Sequence, residues 1–156
     1  MKSLPPYSTI DSTLKTELLP PRESDPKLTV VLDLDETLVH CSTEPLTHYQ
    51  AKYTIEWEGQ PLTIYARIRP YARDLLSYCS SFCEVIVFTA SVREYANKMM
   101  DLLDPENKFI RYVLCNVLIV SHRLFRNDCT YVNGNYVKDL NRLGRRLVDI
   151  LLVRYE

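Results

Sequence analysis

The spacing of apolar and polar residues changes character several times along the chain, and each change marks an element. Leu28–Leu32 is a short, apolar, partly β-branched run, the pattern of a strand buried on both faces. Glu84–Ala90 ("EVIVFTA") and Val148–Val153 ("VDILLV") repeat that pattern. Between Lys52 and Arg67, Tyr53, Ile55 and Trp57 alternate with polar residues, and Leu62 and Ile64 do so after "EGQP". This predicts a β-hairpin with one covered face. "PYARDLLSYCSSF" predicts a helix with Pro70 at its first position. "SVREYANKMMDLLD" predicts a second helix, launched by a Ser91/Glu94 capping box and stopped by Pro105. Farther on, Asn133-Gly134 reads as a tight turn between two short strands, followed by a short helix from Asp139 to Leu147. Strand, hairpin, helix, strand and helix in this order indicate an α/β layering with parallel central strands.

Met1–Lys27 breaks these periods. It is rich in Pro, Ser and Thr, and Pro5-Pro6 and Pro20-Pro21 oppose helix, so it reads as a flexible leader to a single domain over residues 28–156. A length of 156 residues suits one domain with a real core. With 46% apolar and 25% charged residues and a net charge of −1, the chain lacks the basic field that nucleic-acid backbones require. Arg142, Arg145 and Arg146, the mildest basic cluster, read as one solvated helix face.

The five cysteines, Cys41, Cys79, Cys83, Cys115 and Cys129, are odd in number and scattered, which predicts reduced thiols. Cys79 and Cys83 lie a helical turn apart, but no second ligand pair follows to build a zinc site. No run approaches the ~20 apolar residues of a bilayer span. The first residues resemble neither a signal nor a transit peptide. The expectation is an intracellular, nuclear or cytoplasmic monomer without a direct nucleic-acid or membrane partner.

The chemistry concentrates at "LTVVLDLDETLVHC", Leu28–Cys41. An apolar strand ends there by presenting Asp33 and Asp35, two residues apart. In open α/β sheets the carboxyl ends of the strands border the crevice where ligands bind. One carboxylate there can attack phosphorus and form an acyl phosphate, and a second can protonate the leaving alcohol and deprotonate water. A divalent cation such as Mg²⁺ would offset the repulsion between carboxylate and phosphate. Thr37 can hold the loop or its acid by a hydrogen bond.

"VVLDLDETLVH" resembles the signature of the haloacid dehalogenase-like phosphotransferases. More narrowly it is similar to the small phosphatases acting on the C-terminal domain of RNA polymerase II. The similarity continues through "IRP" (Ile68–Pro70), "VIVFTAS" (Val85–Ser91), "RLFRNDC" (Arg123–Cys129) and "GNYVKDLNRLGR" (Gly134–Arg145), and so spans Leu28 to Val153. The resemblance implies a Rossmann-like parallel sheet with a small β-hairpin insertion that shapes a groove for a protein substrate. It implies Asp33 as nucleophile and Asp35 as general acid/base, with both at a Mg²⁺ site. It further implies Thr89 and Lys138 on the transferring phosphoryl group, and Thr37 and Arg126 on the substrate side. The activity implied is Mg²⁺-dependent hydrolysis of phosphoserine or phosphothreonine in a phosphoprotein such as the RNA polymerase II tail.

Two departures from that pattern bear on function. After "VDILLV" the family carries an acidic pair that completes the metal shell, whereas here Arg154, Tyr155 and Glu156 follow. The expectation is weakened Mg²⁺ binding in a domain truncated at its C-terminus. The stretch Val113–His122 is uncharged, β-prone and about ten residues longer than the family pattern. It reads either as an extra strand packed on the core or, like the altered chain end, as the product of altered splicing or gene-model error. An inactive binding module and an unstable fragment therefore stand beside the phosphatase reading.

Overall fold

The computed structural model describes residues 16–21, 28–109 and 122–155. Its centre is a four-stranded parallel sheet built from β1 (Thr29–Leu32), β5 (Glu84–Phe88), β6 (His122–Leu124) and β9 (Ile150–Val153), in the order β6-β5-β1-β9. β1 and β5 are buried at every position, as their unbroken apolar runs require. Their side chains alternate between two cores. Val30, Leu32, Val85 and Val87 pack with Leu34, Leu76, Met99 and Met100 on one face. Val31, Ile86 and Phe88 pack with Leu124, Leu143 and Leu19 on the other. β9 lies at the sheet edge with Leu151 and Leu152 exposed, so its apolar run does not mark burial on both faces.

The hairpin forms as its alternation predicts, from β3 (Ala51–Trp57) and β4 (Gln60–Ile68). The tight turn is Glu58-Gly59, both at positive φ, rather than the longer "EGQP". β2 (Val39–Ser42), the restart of the chain after the two aspartates, pairs with β4 and makes this a three-stranded sheet. A small ribbon of β7 (Thr130–Val132) and β8 (Asn135–Val137) turns at Asn133-Gly134, again with positive φ at both positions.

Both helix starts differ from the sequence expectation. α1 (Ala72–Ser80) begins two residues after Pro70, behind a left-handed Tyr71. α2 (Arg93–Leu103) starts behind Val92 with no side-chain cap, because the Ser91 hydroxyl is bonded elsewhere. The expected Asp139–Leu147 helix is a 3-10 turn at Leu140–Leu143, stopped by left-handed Gly144, with a second such turn at Leu147–Asp149. Its arginines do not share a solvated face. Arg145 is almost fully buried against Glu84, Arg142 donates to the Asp128 carbonyl and to Thr130, and Arg146 alone of the three is strongly exposed.

Part of the supposed flexible leader is packed. Leu19 is buried in the second core, and the Leu18 amide donates to the Arg142 carbonyl at 2.6 Å. Arg142 and Arg145 in turn donate to the carbonyls of Thr16 and Pro20. Of the long uncharged stretch Val113–His122, all but His122 lies outside the described residues; His122 opens β6, a three-residue strand too short for the pattern to reveal.

Candidate active site

Parallel register places four strand ends along one crevice. Asp33 follows β1, Thr89 follows β5, Phe125 and Arg126 follow β6, and Arg154 follows β9. The Asp33 amide donates to the Val153 carbonyl, which carries the β1–β9 ladder one residue past the strand. Behind it the chain turns sharply: the amides of Leu38 and Val39 both reach back to the Leu34 carbonyl, and Glu36 adopts positive φ. This turn directs Asp33 and Asp35 into the crevice while Leu34 and Leu38 anchor it in the core.

Asp33 and Lys138 form an ion pair, Oδ1 to Nζ, at 2.5 Å, with both side chains about one-fifth exposed. The same Oδ1 accepts the Leu34 amide at 2.7 Å. Among the described residues, no protein hydrogen bond reaches Asp33 Oδ2. The β7–β8 ribbon delivers Lys138, which follows β8 directly.

Asp35 is held differently. Its Oδ2 accepts the hydroxyls of Thr89 at 2.9 Å and Ser91 at 2.8 Å, and its Oδ1 accepts the Tyr95 phenol at 2.6 Å. Burial, and then the charge and hydrogen bond of Asp35, push the Tyr95 phenol far above its usual value, so it remains a donor. Burial likewise raises the neighbouring Cys41 thiol to about 11, which leaves it protonated and unreactive.

Beside the carboxylates lies a cavity of about 230 Å³. Its apolar wall is the covered face of the hairpin, with Ile55, Trp57, Leu62 and Ile64. Asp35, Ser91, Tyr95 and Arg126 border its polar side. The Arg126 guanidinium is fixed by donating to the Ala90 carbonyl at 2.7 Å and by lying 5.0 Å from the Tyr136 ring centroid.

Sequence reasoning named Asp33, Asp35, Thr89, Lys138 and Arg126, and the crevice brings these together. Thr37 stands apart. It is buried and accepts the Tyr155 amide at 2.9 Å, while Arg69 donates to the main-chain carbonyls of Glu36 and Thr37 and stacks on Tyr155. Its place is to brace the aspartate loop rather than to border the cavity. Ser91 and Tyr95 were missed as site residues. Their signal was the i, i+4 spacing after a buried strand end, which the apparent capping box disguised.

Mg²⁺ takes oxygen ligands in an octahedral shell and retains several waters. Three hydroxyls hold the Asp35 carboxylate, which leaves Asp33 Oδ2, one direction of Asp35 Oδ1 and main-chain carbonyls of the loop as donors. No group of three or more His, Cys, Asp or Glu side chains able to hold a metal occurs among the described residues. The donors thus fit a cation that draws most of its shell from water and substrate oxygens, and they do not form a protein cage. Arg154, one residue beyond the Leu32–Val153 pair, stands level with Asp33 in the strand register.

Comparison with known proteins agrees with this architecture. The model of the NLI interacting factor-like phosphatases matches residues 28–154. The chain belongs to that family. A Caenorhabditis elegans protein named CTD small phosphatase-like protein 3 is 43% identical over 146 residues, which is 93% of this chain and 47% of the relative. A Dictyostelium discoideum protein, CTD small phosphatase-like protein 2, is 43% identical over 136 residues, 86% of this chain and 22% of the relative. The human carboxy-terminal domain RNA polymerase II polypeptide A small phosphatase 1 is 39% identical over 132 residues, 85% of this chain and 46% of the relative. The chain therefore spans less than half of the length of each of these relatives. A solved structure of the fission yeast RNA polymerase II CTD phosphatase Fcp1, bound to beryllium fluoride, superposes with a TM-score of 0.63 at 15% identity. That match covers 90% of this chain and 37% of the other, and establishes the haloacid dehalogenase-like α/β fold. No helix among the described residues is long and apolar enough to cross a membrane.

Proposed function

We propose that this chain is a phosphoserine/phosphothreonine protein phosphatase that works through a phosphoryl group transferred to Asp33. The observation that carries this reading is the pairing of Lys138 with one oxygen of Asp33 while the other oxygen takes no protein hydrogen bond among the described residues. Oδ2 attacks phosphorus as the bond to the serine or threonine oxygen breaks, and the leaving oxygen takes its proton from Asp35. Asp35, now a base, removes a proton from water, which attacks the acyl phosphate, frees inorganic phosphate and restores the Asp33 carboxylate. Lys138 and the Thr89 hydroxyl stabilise the charge spread over the transferring phosphoryl oxygens. Mg²⁺ would be held beside Asp33 by the Asp35 main-chain carbonyl together with water and substrate oxygens, leaving Asp33 Oδ2 free to attack, and would supply further positive charge against the phosphate.

The cavity accepts an apolar side chain next to the phosphorylated residue, with Arg126 available to a substrate oxygen. The substrate is thus a phosphoprotein segment, and the relatives' names point to the RNA polymerase II C-terminal tail. The sparse metal donors favour a second reading, in which the chain binds phosphopeptides without turnover. Hydrolysis of p-nitrophenyl phosphate across a Mg²⁺ titration separates the two. Turnover that requires Mg²⁺ and disappears in Asp33→Asn is expected; phosphopeptide binding by a folded but inactive chain would leave the binding reading.

A further inference from the structure

The arrangement around Asp35 is asymmetric, and the asymmetry decides which oxygen can react. Each carboxylate oxygen has two lone-pair directions for hydrogen bonding. Oδ2 has both engaged, by Thr89 at 2.9 Å and Ser91 at 2.8 Å. Among the described residues Oδ1 accepts only Tyr95, at 2.6 Å, which leaves one direction open. All three donors come from the continuous stretch 89–95. Thr89 is fully buried and tied by its amide to the Leu124 carbonyl, and its hydroxyl accepts the Ser91 amide at 3.0 Å. Tyr95 sits in the first turn of α2, and it borders the cavity together with Asp35.

Resting on the phosphatase reading above, we propose that Tyr95 is a positioning residue that makes Asp35 Oδ1 the atom exchanging the proton. Thr89 and Ser91 pin one side of the carboxylate, and Tyr95 fixes its rotation, so that the open direction of Oδ1 meets the leaving oxygen. In the first step the Oδ1–H bond breaks and its proton joins the departing serine or threonine oxygen. In the second, water gives a proton back to Oδ1 while its oxygen bonds to phosphorus.

The consequence is selectivity by leaving group. An alkoxide must be protonated as it leaves, whereas p-nitrophenolate leaves unaided. Tyr95→Phe retains the ring and removes the hydroxyl. The decisive experiment measures the first step at enzyme excess, as release of peptide serine from a phosphoserine peptide and of p-nitrophenol from its phosphate. Folding of the variant is checked by near-ultraviolet circular dichroism.

The expected result is a loss of about 10- to 100-fold on the phosphoserine peptide, with KM changed less than about twofold and p-nitrophenol release slowed less than about threefold. In a double-mutant cycle, Tyr95→Phe added to Asp35→Asn should have no further effect on the phosphoserine step. Equal losses on both substrates, a change confined to KM, or an additive cycle would overturn the proposal. Wild-type chain without turnover on either substrate would instead remove the phosphatase reading, and the proposal with it.

Discussion

The two ends of the central sheet each hold carboxylates against cations, yet they are built for opposite ends. At the amino end, Glu84 opens β5 and is almost fully buried. Arg145 binds it in a fork, Nε to Oε2 at 2.8 Å and Nη2 to Oε1 at 2.7 Å; the Thr29 hydroxyl donates to Oε2, and His122 lies 3.6 Å from Oε1. At the carboxyl end, Asp33 has one oxygen gripped and one open, and Asp35 keeps a direction free beside a cavity. Near-complete burial with both oxygens held makes a charge structural. Burial that stops short of this leaves it available for chemistry.

Mutation of Arg145 should break the comparison most forcefully, if it is false. Arg145→Met leaves Glu84 buried without its fork and should lower stability by about 3–5 kcal/mol, measured by urea unfolding. Adding Glu84→Gln should recover much of that loss, because the uncompensated charge is gone. At the other end, Asp33→Asn removes a partly exposed charge and should change stability by less than about 1 kcal/mol while abolishing turnover.

A second way to sharpen the contrast is Leu19→Ala. Leu19 closes the core face shared by Val31, Ile86 and Phe88, so its truncation should cost about 2–5 kcal/mol and leave the crevice geometry intact. A loss near zero would mean that residues 16–21 are dispensable to the domain.

The smallest effect expected is on acid stability. Burial alone would raise the Glu84 carboxyl, but Arg145, His122 and Thr29 outweigh it and hold the group well below its ordinary value of 4.5. A depressed folded value contributes stability that is complete above the unfolded value and lost as pH falls below it toward the folded one. Unfolding free energy should therefore decline as pH drops below about 4.5, and this part of the decline should vanish in Glu84→Gln.

Much of the crevice was legible because the signals were local. The buried run at β1, with carboxylates immediately behind it, pointed to Asp33 and Asp35, the family resemblance added Thr89 and Lys138, and Asn133-Gly134 located the ribbon that delivers Lys138. What stayed hidden depended on tertiary partners. Ser91 has the sequence of a helix cap, but its hydroxyl finds a stronger acceptor in Asp35. Arg145 has the composition of a surface cation and becomes buried only because Glu84 arrives from 61 residues away. Leu19 sits in a Pro-rich stretch whose local pattern opposes regular structure, and its burial comes from the sheet face it covers rather than from any period of its own. β6 is too short for alternation to register.

The account turns on Asp33 as the group that takes up phosphate. Its most direct test is to mix the chain with an excess of ³²P-labelled phosphopeptide, quench in acid within milliseconds, and map the label by proteolysis and mass spectrometry. An acid-stable, hydroxylamine-sensitive phosphoryl group on Asp33 is expected, absent from Asp33→Asn and forming more slowly from the phosphopeptide when Asp35 is replaced by asparagine. Release of inorganic phosphate with no label on Asp33, or with label on another residue, would contradict it.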